Sequence, residues 1–287
     1  MSDDALRIRT MSRSELDVAV DWAAREGWNP GLDDADAFHA ADPGGFLVAC
    51  RGVVPAASIS VVRYGDTFGF LGFYIATPDE RGRGTGLRIW QAGMARLAGR
   101  VVGLDGVIAQ QDNYRKSGFV LAQRNIRYGG KAAAPDAAAA RGLAIVDARD
   151  LPFDRLLAYD RRFFPAERAA FLSLWLGAGR RIACAATRDG EIAGLGVIRS
   201  CRRGFKLGPL YADRAAVAEA LVAALHARAG VGEQEVFLDV PEPNRDAVDL
   251  ATRLGLAPAF ETARMYAGPA PDVDVAGLYG VTTFELG

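Results

Sequence analysis

Residues 68–90 constrain this chain more than any other stretch. An aromatic and β-branched run, Phe68-Gly69-Phe70-Leu71-Gly72-Phe73-Tyr74-Ile75-Ala76, reads as a buried strand and meets a turn signal at Pro78. Glycines alternate at 82, 84 and 86, and Leu87, Trp90, Met94 and Leu97 then recur at helical spacing, predicting a helix over 87–98. The order is strand, glycine loop, helix. The first turn of such a helix has N–H groups with no partner inside the helix, and the aligned peptide dipoles place partial positive charge there. Glycines without a Cβ can take positive φ and let a phosphate approach those groups. Arg81 and Arg83 add formal charge, so a phosphate-bearing ligand is expected.

What the loop lacks narrows the ligand. No Gly-x-x-x-x-Gly-Lys-[Ser/Thr] run occurs, and a dinucleotide fingerprint fails because Leu87 and Ile89 stand where its third glycine is needed. What fits is Arg-x-x-Gly-x-Gly, at Arg81, Gly84 and Gly86 after Pro78. A second element, Tyr-x-x-x-Gly-Phe at Tyr114, Gly118 and Phe119, follows a strand expected over 101–108. On these two motifs the chain resembles the GNAT superfamily of acetyl-CoA-dependent N-acetyltransferases. A glycine-rich turn with two solvated arginines is the plainer reading of the first motif.

The resemblance implies acetyl-CoA as cosubstrate. Its pyrophosphate would be held by N–H groups from Gly82, Arg83, Gly84, Thr85, Gly86 and Leu87 with the Arg81 and Arg83 side chains, and its pantetheine by strand-edge groups at Tyr74 and Ala76. Asn113 would orient the coenzyme, and a backbone N–H near residues 73–75 would stabilise an oxyanion. Tyr114 would be the general acid for the departing thiolate, or else a tyrosine half buried for packing. With no Cys–His or Ser–His pairing evident, direct attack by an amine is expected without an acyl-enzyme. Asp105, Asp112 and Glu26 are candidate bases, though none stands out.

At 287 residues the chain has room for two domains. The second half repeats the first: strands over 182–186 and 192–198 surround Asp189-Gly190, 205–211 stands where the central strand stood, and 215–229 where its helix stood. Arg253-Leu254-Gly255-Leu256 echoes Lys116-Ser117-Gly118-Phe119, and Asp239 echoes Asp105. The expected fold is α/β in the α+β arrangement: tandem GNAT-like lobes at 1–130 and 143–287, joined by a linker at 131–142. Each would be a mixed, mostly antiparallel twisted sheet flanked by helices. The second lobe has Tyr211-Ala212-Asp213-Arg214-Ala215 in place of the glycine loop. A carboxylate at the expected N-cap would satisfy the free N–H groups and repel a pyrophosphate, so this lobe is expected not to bind coenzyme.

The acceptor is less legible. The turn at Trp28 and Asn29, after a helix opened by a capping box at Ser12 and Glu15, is expected to border the acceptor site. Asp33, Asp34 and Asp36 could attract a cation or simply cap a helix, and the aromatic segment 163–175 could line the cleft or belong to the core. An amine on a small molecule is expected. A net charge of −1 gives no reason to invoke nucleic acid. The first ten residues do not resemble a signal peptide, and no apolar run is long enough to span a bilayer, so a cytoplasmic protein away from membranes is expected. Cys50, Cys184 and Cys201 form no Cys-x-x-Cys and His39 and His226 lie far apart, so neither a metal site nor a disulfide framework is expected. The second reading is a non-catalytic acetyl-CoA-binding regulatory or interaction protein. Oligomeric state is left open.

Overall fold

The structure, a computed structural model, describes residues 5–133, 142–177 and 179–287; most of the expected linker, 134–141, lies outside the described residues. One order of elements occurs twice. The first half has β1 (Leu6–Thr10), α1 (Arg13–Arg25), α2 (Asp34–Ala41), β2 (Phe46–Arg51), β3 (Val54–Tyr64), β4 (Phe68–Ala76), α3 (Thr85–Arg96), β5 (Val101–Val107), α4 (Gln111–Lys116) and β6 (Val120–Lys131). The second has β7 (Ala144–Asp147), α5 (Phe153–Asp160), α6 (Ala169–Gly177), β8 (Ile182–Arg188), β9 (Glu191–Ser200), β10 (Phe205–Ala212), α7 (Ala215–Ala229), β11 (Glu235–Pro241), α8 (Arg245–Arg253) and β12 (Ala257–Ala267), then a short β13 (Leu278–Gly280). The capping box forms as expected: Ser12 Oγ accepts from Glu15 N at 3.2 Å, and Ser12 N donates to the Glu15 carboxylate at 2.8 Å.

The strands make one continuous sheet in the order β1-β2-β3-β4-β5-β12-β6-β11-β10-β9-β8-β7, with β13 beside β10. Among the described residues, only β4–β5 and β10–β11 run parallel. The final long strand of each half lies in the other half's territory: β12 pairs with β5, and β6 pairs with β11. Register places Arg264 opposite Asp105 and Arg127 opposite Asp239. Each becomes a two-pronged ion pair, part-buried at 2.8 and 2.7 Å for Arg264 and buried at 2.6 and 2.8 Å for Arg127. The echo of Asp105 in Asp239 is thus a repeated cross-half bond.

Helix α3 packs on one face of the first half's sheet through Ile89 and Trp90, and α7 and α8 cover the matching face of the second through residues such as Leu221 and Leu250. On the opposite face α1 and α2 meet α5 and α6 in a shared core, where Phe38 stacks on Trp175 with ring centroids 6.0 Å apart. The segment 163–175 therefore belongs to the core: α6 begins only at Ala169, and Phe171 and Trp175 are fully buried. The three aspartates are not a lure for a cation either. Asp34 is buried against Arg199 at 3.2 Å, Asp33 accepts from Arg180 N at 2.8 Å, and Asp36 pairs with Arg13 at 2.6 Å.

Candidate active site

Strands β4 and β5 pair only from Phe68 with Val101 to Leu71 with Leu104, although β4 runs on to Ala76 and β5 to Val107. The cause lies on the other edge of β4. There Ser58 pairs with Ile75 and Ser60 with Gly72, so Phe73 and Tyr74 together face Ile59 alone. This is a β-bulge, which bends its strand. Phe73 takes φ +44°, a conformation costly for a bulky residue, and its carbonyl is held by Ser58 Oγ at 2.7 Å. Beyond Leu71 the two strands part, and the β4 edge facing β5 has no strand partner among the described residues. The bulge falls within the 73–75 stretch expected to present an oxyanion donor.

Below the opening lies the glycine loop. Gly82 and Gly84 take φ +76° and +79°. Gly86 does not use a positive φ: a Cβ there would sit 2.9 Å from the Tyr74 hydroxyl, so this glycine serves close approach. Helix α3 starts at Thr85, two residues before the expected boundary, and its N-cap Gly84 supplies no side chain to the first-turn N–H groups. Glu80 braces the loop from beneath, accepting from Arg51 at 2.7 and 3.0 Å and from Thr85 Oγ1 at 2.5 Å. These bonds, from Arg51 first and then Thr85, hold the Glu80 carboxyl down at about 2. A depressed folded-state value gives stability that is complete above the ordinary carboxylate range and is lost as pH falls from about 4.5 toward 2. Between pH 5 and 3, the urea midpoint of Glu80→Gln should therefore fall less steeply than that of the wild type.

An outer groove of about 550 Å³ runs along this loop, and an inner recess of about 60 Å³ sits in the mouth of the open strands. Trp28, Tyr74, Val107 and Gln110 are walls of both. Of the residues expected to hold coenzyme, Tyr74, Ala76, Arg81, Gly82, Gly84, Gly86 and Leu87 line the groove. Arg81 also bonds Glu26 at 2.5 Å and the Ala76 carbonyl at 3.1 Å, so that carbonyl is engaged by protein. Three of the expected residues do not line it. Arg83 points outward 3.7 Å from Glu80, Thr85 turns inward, and the Asn113 amide donates to the Gln110 side chain at 2.8 Å. Trp28 borders both spaces. Asn29 is spent elsewhere, donating to Arg203 O at 2.9 Å and accepting from Arg203 N at 3.1 Å, which ties the halves together.

Tyr114 reaches the inner recess. Its ring stacks on Trp90 with centroids 5.5 Å apart, and it fills the space that a Cβ on Gly106 would enter at 2.5 Å. Burial pushes its phenol pKa well up, so it stays protonated at neutral pH. Asp105 also borders the recess, but Arg264 and Asn125 engage its carboxylate, the latter at 2.8 Å. Asp112 pairs with Arg115 at the surface. Phe260, Thr262 and Phe284, all from the second half, complete the recess. Sequence reading missed them because the exchanged strand β12 brings Phe260 and Thr262 there and the segment after β13 brings Phe284.

The second half repeats the opening and then fills it. Strand β10 pairs with β11 from Phe205 to Leu207 and slips register against β9 between Leu207 and Leu210. Strand β13 then lies along β10, with Ala212 N donating to Gly277 O at 3.0 Å and Val281 N to Asp239 O at 2.9 Å. Asp213 is not the cap as expected: Arg214 is the N-cap of α7, and Asp213 accepts from Tyr159 at 3.1 Å and Arg162 at 2.9 Å. Occupation by the chain itself, rather than a capping carboxylate, closes this cleft.

A parted parallel strand pair joined by a helix recurs in both halves of one sheet, and only in the first half does it open onto a glycine-started helix, the arrangement of a tandem acyltransferase fold. The chain belongs to the GNAT acetyltransferase family, and it is an acyltransferase. It is 34% identical over 281 residues to holothin acyltransferase of Pseudoalteromonas sp. (strain SANK 73390), covering 96% of this chain and 92% of that protein. The family model described as "Acetyltransferase (GNAT) domain" matches residues 156–280. A putative acetyltransferase from Pyrococcus horikoshii shares the fold with a TM-score of 0.80 at 20% identity, over 98% of this chain and 96% of that one. A tandem GNAT protein from the clavulanic acid biosynthesis pathway shares it with a TM-score of 0.64 at 14% identity, over 93% of this chain and 100% of that one. Among the described residues, no helix is long and apolar enough to cross a membrane.

Proposed function

We propose that the first half transfers the acetyl group of acetyl-CoA to an amine on a small molecule. One observation carries this reading: the start of α3 has no capping side chain and opens, through Gly82 and Gly84 in left-handed conformations, onto a groove leading to the parted strands. These residues fit an anionic coenzyme: N–H groups of the first α3 turn would hold its pyrophosphate, and the free edge of β4 its pantetheine. When bound, acetyl-CoA supplies an activated thioester carbonyl. Donors at the β4 bulge would face that carbonyl's oxygen, Tyr114 would hold a proton for the departing sulfur, and Trp28 would exclude water from the junction. The second half would hold no coenzyme, because β13 occupies the equivalent opening.

Holothin, on which the Pseudoalteromonas relative acts by its name, is the first acceptor to try. Acetyl-CoA should raise the melting temperature, and thiol release should follow addition of holothin or another small amine. Stabilisation without thiol release across a broad amine panel would favour the pure binder instead. Gly84→Asp should weaken acetyl-CoA tenfold to a hundredfold, about 1.4–2.8 kcal/mol, by placing a carboxylate where the pyrophosphate must sit. Titration calorimetry reads this directly, and unchanged affinity would move the coenzyme away from α3.

A further inference from the structure

The inner recess has walls that the coenzyme reading does not use. Phe260 and Thr262 come from β12, the strand that the second half inserts beside β5, and Phe284 comes from the segment following β13. The two phenyl rings stand 6.3 Å apart, and the buried Arg127 guanidinium lies against both, 5.6 Å from the Phe260 centroid and 4.9 Å from that of Phe284. They are therefore a fixed surface. Between them and the end of β5, Thr262 is 98% buried and lines the recess, and its buried hydroxyl hydrogen-bonds to no described residue. Buried hydroxyls nearly always have partners, and one left without a partner weakens the fold unless a bound molecule supplies it.

Resting on the assignment of catalysis to the first half, we propose that the second half supplies the acceptor-binding wall of that cleft. The acceptor is a small planar amine whose ring lies against Phe260 and Phe284 and whose polar edge hydrogen-bonds to Thr262. Flat aromatic walls select a flat partner. The recess of about 60 Å³ holds only one small ring, given that a single water needs about 10–15 Å³ measured the same way. An orphan hydroxyl at its side selects a ring carrying a hydrogen-bonding atom over the same ring without one. The second half is then part of the specificity apparatus.

Three probe amines test this with acetyl-CoA as donor: 3-(aminomethyl)pyridine, benzylamine and Nα-acetyl-lysine methylamide. The first two present the same aminomethyl group on rings of the same size, and only the first has a polar ring atom. Wild-type enzyme should show a KM for the pyridine at least tenfold below that for benzylamine, with the lysine derivative poorest. Thr262→Val, which keeps the shape, should bring the two ring amines within threefold of each other. Phe284→Leu should raise KM for both at least fivefold, and KM for acetyl-CoA should stay within twofold in either variant. The proposal is overturned if Thr262→Val keeps the wild-type ratio, if KM for acetyl-CoA rises in parallel, or if the lysine derivative is preferred. Acetyl-CoA binding without thiol release from either ring amine also overturns it. Failure to bind acetyl-CoA would instead overturn the reading of the cleft itself.

Discussion

Tyr114→Phe is expected to lower kcat by a hundredfold or more while leaving KM for acetyl-CoA within twofold. Packing survives the change, since the ring keeps its stack on Trp90 and its edge contact with Phe119, and only the hydroxyl is lost. Tyr114 lines the recess and its hydroxyl hydrogen-bonds to no described residue, so no structural bond is broken. A positioned general acid contributes 10²–10⁴ in rate, and the lower part of that range suits a phenol whose pKa burial has pushed far above neutrality. Because its folded-state pKa is raised, the phenol keeps its proton throughout the enzyme's working range. The deficit should therefore be the same at pH 6 and pH 9. A kcat within threefold of wild type in steady-state thiol release would make Tyr114 a packing residue only.

Arg127→Met is expected to destabilise the protein by about 3–5 kcal/mol, the usual cost of leaving one member of a buried ion pair without its partner. Arg127 and Asp239 are 3% and 1% exposed, and the guanidinium also donates to Trp28 O at 2.6 Å. Burial raises the Asp239 pKa, but Arg127 outweighs it and the net shift is downward. The sign follows. With Arg127 present, Asp239 adds stability above the ordinary carboxylate range and loses it as pH falls. Without Arg127, burial is opposed only by the weaker pull of Lys206 and Arg199, Asp239 takes up a proton more readily on folding, and the variant's deficit should narrow between pH 7 and pH 4. Urea midpoints at the two pH values measure this, and a constant deficit would show that the lost packing against Phe260 and Phe284 outweighs the charge. Arg127→Met with Asp239→Leu should recover much of the loss, because the two opposite charges are then removed together and neither is left facing the gap of the other.

Whatever depends on local backbone chemistry could be read from the residues. The glycine loop and the capping box are such features, because glycine conformation and helix ends are decided within a few positions, whereas the Tyr114 element was legible only through the family resemblance. Their details moved when distant side chains intervened, as at Gly86, whose reason is the Tyr74 hydroxyl rather than its own φ. Asp34 looked like an exposed acid because the arginines that bury it, Arg181 and Arg199, come from the other half of the chain. Phe260, Thr262 and Phe284 were invisible for the same reason. Both halves carry an Asp and an Arg in matching places, but a repeat does not reveal whether each Arg meets the Asp of its own half. Non-local register decides that, and it decides the composition of the recess.

Exchange of β6 and β12 also sets a timetable for the molecule. As the chain emerges from the ribosome, the margin of β5 stays without its neighbour until residues 257–267 have been made. A nascent first half thus carries its glycine loop and tyrosine early, yet lacks the wall that would present an amine to them. On the proposed division of labour, competence would arrive only once β12 and the segment carrying Phe284 have been made, and the two halves then stand or fall as a single interlaced body.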